Sequence, residues 1–362
     1  MKTTRRTHGA RLAAVAVLIG AGSLAQVSHA ACAPVGTRMA TLLKTVPTHQ
    51  VSVLAHRGLW GQFAPIEDTP ENSRASLQQA NDQCMDAVEL DVKLTSEGVP
   101  VLMHDYNLGR TTNVYTAFRG GTKYDPASNR GTNPSVASVS WQTIQNLHLL
   151  TPGRTTVTGY FVPDVSGVFT YWNQHGLSVP MIFDAKTQDA VKAIDRLAQE
   201  NFSAPSRVVG VKVNATLYPS YSAFKADAPT IVGIPVFTTN MLTVIDVPTV
   251  RRNWQTGAAA LEINVKQKNG LLQGQMDLAK KDGKAVGVFN ALPDAPGGSG
   301  NFYKNTGECC YKLSDLYFSY SGGRDTADNR GDWTYLVSQG FTFITTDDPR
   351  GLIGFLHSRG LH

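Results

Sequence analysis

Asp86-Ala87-Val88-Glu89-Leu90-Asp91-Val92-Lys93-Leu94 sets apolar side chains at Val88, Leu90, Val92 and Leu94 and charged ones at Glu89, Asp91 and Lys93. A period of two predicts a strand with one apolar face and one charged face. Glu89 and Asp91 then project side by side. Two carboxylates roughly 5 Å apart repel by about 3 kcal/mol at an effective dielectric near 20. A face turned to water tolerates that repulsion. So does a face that holds a cation between the two acids. The sequence around the strand separates these readings.

Upstream, Val51 to Gly58 reads as a buried strand ending in His56-Arg57, followed by a loop with Trp60. Thr69-Pro70-Glu71-Asn72-Ser73 opens a helix, with a proline for its first turn and Asn, Ser or Thr for its cap. Downstream, 99–104 is a third strand, 106–139 is irregular and rich in Thr, Asn and Gly, and 140–150 is helical. Strands follow at 179–186, 207–214, 231–237, 258–265, 284–291 and 341–346, with a striped helix at 188–200 and a closing helix around Leu352. The alternation predicts a parallel sheet with crossover helices. The fold expected is α/β, a single-domain (β/α)8 TIM barrel over residues 31–362. Nine strand candidates exceed the barrel's eight, and the surplus one is expected at the Ile231 or the Ala258 stretch. The irregular stretches 58–69, 106–139 and 291–332 follow strands directly, which assigns them to the C-terminal face where such barrels keep their sites.

Residues 1–30 read as a signal peptide: Lys2, Arg5, Arg6 and Arg11, an apolar run from Leu12 to Leu24, and small residues at Ser28 and Ala30. The expected location is therefore outside the cytoplasm, secreted or periplasmic. Without the leader, 29 basic residues face 28 acidic ones. No basic patch with interleaved aromatics suggests nucleic acid, and no further segment is apolar enough to span a membrane. Cys32, Cys84, Cys309 and Cys310 are an even set in an exported chain, so disulfides are expected, with three pairings open. Cys32–Cys84 is favoured over the adjacent pair.

Ionisable residues gather at the ends of the first four strands: His56 and Arg57, Glu89 and Asp91, His104, then Asp184 and Lys186. Each alone has an ordinary explanation, such as a hydrogen-bonded histidine, an Asp184–Lys186 ion pair, or Glu71 favouring a helix N-terminus. A barrel aims matching strand ends at one place, so together they predict one site.

His56-Arg57-Gly58, Pro70-Glu71-Asn72-Ser73, Glu89-Leu90-Asp91-Val92, His104-Asp105 and Arg110-Thr111-Thr112-Asn113 occur in that order. The series resembles the glycerophosphodiester phosphodiesterase family, metal-dependent TIM-barrel enzymes. The likeness is close over about residues 51–113. Weaker echoes follow at Val162-Pro163, Asp184-Ala185-Lys186 and Thr346-Asp347-Asp348-Pro349. It implies Glu89, Asp91 and Asp184 as metal ligands, Glu71 as a ligand or close neighbour, and His56 and His104 as an acid–base pair. Arg57 and Lys186 would meet the phosphate, and Trp60 and Phe289 would belong to the substrate wall. Two features depart from the family. Asp184 stands where it usually has Glu, which resembles the sphingomyelinase D/phospholipase D branch, yet that branch lacks the Pro-Glu-Asn segment. Val288-Phe289-Asn290-Ala291 stands in place of a Trp-Thr-Val-Asn run.

All-oxygen ligands favour one divalent cation, Ca2+ or Mg2+, over zinc. Histidines suit proton transfer near neutrality. The reading that follows is an exported hydrolase cleaving small glycerophosphodiesters to glycerol phosphate and an alcohol. A phospholipase D-like lyase on lysophospholipids or sphingolipids, giving a cyclic phosphate, is the alternative; it would bring lipid headgroups in as partners. A metal-stabilised surface binding protein is the non-enzymatic one. The aromatic insert with Phe302, Tyr303, Tyr311, Tyr317, Phe318 and Tyr320 reads as a surface loop or as a lid over the substrate.

Overall fold

Eight parallel strands close on themselves: β1 (Ser52–His56), β2 (Ala87–Leu94), β6 (Met181–Ala185), β7 (Val209–Asn214), β8 (Val232–Phe237), β9 (Ala260–Ile263), β10 (Ala285–Phe289) and β13 (Phe343–Thr346), with β1 pairing both β2 and β13. Chain order supplies the remaining labels: β3 (Pro100–Leu102), β4 (His148–Leu150), β5 (Val157–Phe161), β11 (Asn301–Tyr303) and β12 (Cys309–Lys312). The structure is a computed structural model and describes residues 32–45, 50–61, 68–295, 300–321 and 323–362. The expected leader lies outside these residues, as do the side chains of Tyr317 and Tyr320. Ala33–His362 forms one compact unit, and its architecture is the (β/α)8 barrel.

The ninth strand is not where the sequence placed it. Both the Ile231 and the Ala258 stretches are barrel staves, and the surplus strand is β3. It runs antiparallel to β2, with Val92 opposite Leu102 and Leu94 opposite Pro100. The link from Leu94 to Pro100 is far shorter than the dozen or so residues that a parallel crossover needs. A hairpin is what so short a link allows, and Gly98 at φ +80° completes its turn. His104 therefore follows a returning strand, not the end of a third stave. The 140–150 helix is also shorter than expected: it covers Trp141–Ile144, and His148–Leu150 pairs antiparallel with β5.

The helices start where side chains can satisfy free N–H groups. Ser73 caps Arg74–Asp82 in a reciprocal box with Ser76, so Pro70, Glu71 and Asn72 lie in the turn before the helix. Thr187 caps Gln188–Asn201, whose Val191, Ile194, Leu197 and Ala198 are buried. Outward strand residues such as Val88, Leu90, Phe183 and Val211 pack with these helices in one continuous core. The opposite faces carry Glu89, Asp91, Asp184 and Lys212 inward, with Asp91, Asp184 and Lys212 level across β2, β6 and β7.

The 291–332 insert contains the antiparallel pair β11–β12 and the helix Leu313–Ser321. All four cysteines are disulfide-bonded, Cys309 with its neighbour Cys310, so the adjacent pair does form. Among the described residues, no helix is long and apolar enough to cross a membrane.

Candidate active site

The C-terminal mouth of the barrel holds a cavity of about 290 Å3. His56, Arg57, Glu89, His104, Asp184, Lys186 and Phe289 all line it. Each of the two imidazoles is held by an aspartate. His56 Nδ1 lies 2.7 Å from Asp347 Oδ1, and His104 Nδ1 lies 2.7 Å from Asp105 Oδ1. A carboxylate accepts, so each Nδ1 carries the hydrogen and each Nε2 is left for the cavity. The ring centroids are 6.5 Å apart and nearly perpendicular. Phe289 meets the His56 ring edge at 4.9 Å. Burial alone would lower the His56 pKa, but the Asp347 and Glu89 carboxylates together hold it raised.

Glu89 and Asp91 are both buried on the inner face of β2. One donor atom from each, together with one from His56, falls within 4.8 Å of the others. Burial and the neighbouring Asp91 carboxylate push Glu89 up to about 7. Asp91 goes the other way: burial opposes ionisation, yet His104, Lys93 and Arg57 hold its pKa down. Asn72, at a left-handed φ of 51°, grips Asp91 twice, through its side-chain amide at 3.0 Å and by accepting the Asp91 N–H at 2.9 Å. Arg57 Nε lies 3.8 Å from Asp91 and His56 Nε2 3.7 Å from Glu89, and two buried carboxylates side by side are the oxygen donor set a hard cation fits.

Glu71 has other partners. Its carboxylate takes Arg57 at 3.2 Å, Arg110 at 3.4 Å and Arg154 at 2.5 Å. Burial opposes its ionisation, and the three guanidiniums still hold its pKa well below the usual range. Arg110 also forks onto Asp105, which burial would raise but which this arginine keeps at about 2. A chain of charge thus runs from His104 through Asp105 and Arg110 to Glu71 and Arg57. Arg57 sits at φ 59° with its backbone N–H 3.3 Å from Glu89 and its Nη2 3.5 Å from Asp294.

A profile of the glycerophosphoryl diester phosphodiesterase family matches residues 56–268, more than half of the chain. The chain belongs to this family. Glycerophosphodiester phosphodiesterase 1 of Rattus norvegicus is 41% identical over 101 residues, a match spanning 26% of this chain and 28% of the relative's own length. A glycerophosphoryl diester phosphodiesterase from Parabacteroides distasonis shares the fold at a TM-score of 0.58 and 15% identity, covering 91% of this chain and 93% of its own. A phosphodiesterase from Oleispira antarctica, solved with its product sn-glycerol-3-phosphate, aligns at 0.54 and 17% identity over 85% of this chain and 97% of its own.

Within this family member the expected residues divide. His56, Glu89, Asp91 and His104 come together. Asp184 is level with Asp91 but is paired with Lys186. Glu71 points into the arginine cluster, and Trp60 is buried, its indole N–H 3.3 Å from Asp347 Oδ1. On the opposite wall Lys212 pairs with Glu262 and donates to Thr345 at 2.6 Å. Lys212, Glu262 and Asn264 all line the cavity. Asp347 and Asp105 were visible only as parts of motifs. Asp105 lies beside His104, and Asp347 beside a second aspartate, Asp348, that caps the closing helix. Arg154 and Asp294 come from loops with no period to read.

Proposed function

We propose that this chain hydrolyses glycerophosphodiesters to glycerol phosphate and an alcohol at a divalent cation, Ca2+ or Mg2+, held by Glu89 and Asp91. The observation that carries the reading is the pair of imidazoles, each fixed through Nδ1 by an aspartate and facing the other across 6.5 Å beside those two acids. Asp184 offers a third carboxylate when Lys186 turns from it to a phosphate oxygen. The cation supplies Lewis-acid polarisation of the diester and a fixed position for it.

The chain's own groups do the rest. Arg57, its charge fixed by burial among Glu71, Asp347, Asp294 and Asp91, faces the phosphate. Burial opposes the Lys186 charge, but Asp184, Asp91 and Glu89 together keep it an ammonium. One histidine takes the proton of the attacking hydroxyl, and the other gives its proton to the leaving alkoxide. Each proton is accounted for, and each Nε2 exchanges its own while Nδ1 stays bound to its aspartate. Trp60 braces Asp347, and so holds His56, rather than meeting substrate. Phe289 packs on the same ring from the cavity side. The aromatic hairpin supplies Phe302, Tyr303 and Tyr311 to the cavity, consistent with a covering role. Export and the small diester substrate belong to this reading.

The test is turnover of glycerophosphocholine after chelation and after add-back of Mg2+ or Ca2+, followed by phosphorus NMR. Glycerol phosphate appearing with metal and ceasing with chelator is expected. A cyclic phosphate accumulating as end product would replace hydrolysis by the lyase reaction. Binding without turnover would leave a metal-stabilised binding protein.

A further inference from the structure

The arginine cluster around Glu71 has a second open side. Arg110 and Arg154 line a recess of about 290 Å3 that shares no wall residue with the catalytic cavity. Lys123, Tyr124, Asp125 and Leu150 stand around it. The partition between the two is thin. Tyr303 faces the catalytic cavity with its ring 4.6 Å from the Arg110 guanidinium, and Glu71 Oε2 is shared by Arg57 on the cavity side and Arg154 on the recess side. Three cationic side chains and one carboxylate line the recess. The carboxylate is occupied within its own turn: Asp125 accepts from the Ala127 N–H at 3.0 Å and from the Ser128 hydroxyl at 2.5 Å. The cations are less well served. Lys123 is exposed, and its ammonium reaches the Thr155 carbonyl only at 3.4 Å. Arg154 gives one nitrogen to Glu71 and leaves Nη1 buried with no hydrogen-bond partner among the described residues. Burial lowers the Arg154 pKa by more than Glu71 restores, and the nearby Arg110 lowers it further.

A buried donor left open costs about 1–3 kcal/mol. An oxyanion placed among a guanidinium fork and an ammonium recovers that cost, and phosphate matches both groups. We propose that this recess is a second anion site, which takes a phosphate dianion, either free phosphate or the phosphate-monoester product, and is coupled to the catalytic cavity through Glu71. The coupling rests on the diesterase reading above; the binding does not. A dianion held by Arg154 and Lys123 takes Arg154 from Glu71 Oε2. That oxygen then draws Arg57 more strongly, away from a diester oxygen. Affinity for the diester falls, and by linkage a bound diester weakens the anion by the same factor. The device is feedback by the product or by its phosphate.

Inorganic phosphate and glycerol phosphate, titrated calorimetrically into the Mg2+-loaded chain, test the recess without requiring turnover. Each should fill two sites in the wild type, one in the catalytic cavity and one in the recess. Lys123→Glu reverses a charge at the recess alone and should weaken one site by at least about tenfold while sparing the other; Lys123→Arg should keep both. A single site in the wild type, or two undiminished sites in Lys123→Glu, overturns the proposal. Tighter binding of glycerol phosphate than of inorganic phosphate at the sensitive site identifies the product as the occupant, and the reverse order identifies free phosphate. Chloride at matched ionic strength should not compete for that site, and equal competition would reduce the effect to screening and overturn it. For the coupling, a fixed phosphate concentration should raise KM for glycerophosphocholine more in the wild type than in Lys123→Glu, with kcat and KM alike in the two without phosphate. An equal rise overturns the feedback. Failure of wild-type glycerophosphocholine turnover would overturn the diesterase reading instead, and the titrations would still decide the recess.

Discussion

The two sides of the barrel mouth handle buried charge in opposite ways. On the β7–β10 side each charge has a local answer: Lys212 meets Glu262, and Arg330 forks onto Asp328 while reaching Asn264 at 3.1 Å. On the β1–β3 side the charges are shared. Glu71 serves three arginines, and Glu89 and Asp91 lie side by side with His56 and Arg57 against them. A satisfied pair needs nothing further and stiffens a wall. A carboxylate pushed up to about 7 beside another carboxylate marks where positive charge is to arrive. The contrast assigns chemistry to the β1–β3 side and shape to the β7–β10 side.

The comparison breaks most visibly in turnover. His56→Ala or His104→Ala should lower kcat on glycerophosphocholine by about 10^3-fold with the circular dichroism spectrum of the folded chain retained. The double replacement Lys212→Met with Glu262→Leu should stay within about tenfold, because the pair is removed together. Equal losses on the two sides would erase the distinction. Stability should divide in the same way. Glu71→Gln leaves three guanidiniums without their common counter-charge and should cost about 3 kcal/mol in urea unfolding, whereas the Lys212/Glu262 double variant should be nearly neutral.

Acid sharpens the contrast further. Asp105 is held at about 2 against an ordinary 3.8. A depressed carboxylate contributes stability that is fully present above the unfolded pKa and is lost as pH falls from about 4 to about 2. That contribution is roughly 2 kcal/mol. The wild type should therefore lose stability more steeply over that window than Asp105→Asn, and parallel curves would contradict it. The smallest effect expected is at Phe289: Phe289→Ala removes the ring against His56 and should raise KM by less than about tenfold, with kcat affected less.

The sequence made the β1–β3 side legible and the β7–β10 side obscure for a physical reason. Glu89 and Asp91 alternate with apolar residues on β2, and His56 closes a buried strand, so local periodicity exposes them. The inward face of β7 and β9 shows a lone Lys212 and a lone Glu262, and their pairing depends on barrel closure, which no short window reveals. The surplus strand was misplaced because strand-like composition does not carry direction; the short Leu94–Pro100 link was the signal for an antiparallel return. Glu71 was read as a helix-start acid or a ligand because the turn at Asn72, which points it at three arginines, depends on a positive φ at a residue other than glycine. Arg110 stood in the quoted motif, but Arg154 reaches Glu71 from a loop 83 residues away, beyond any periodic signal.

The central claim is that Glu89 and Asp91 hold one divalent cation between the two histidines. Calorimetric titration of Mg2+ and Ca2+ into the wild type, Glu89→Gln and Asp91→Asn tests it directly. The account predicts one site per chain in the wild type and at least about a hundredfold weaker binding in each variant, a loss of about 2.7 kcal/mol. Undiminished binding in both variants would contradict it.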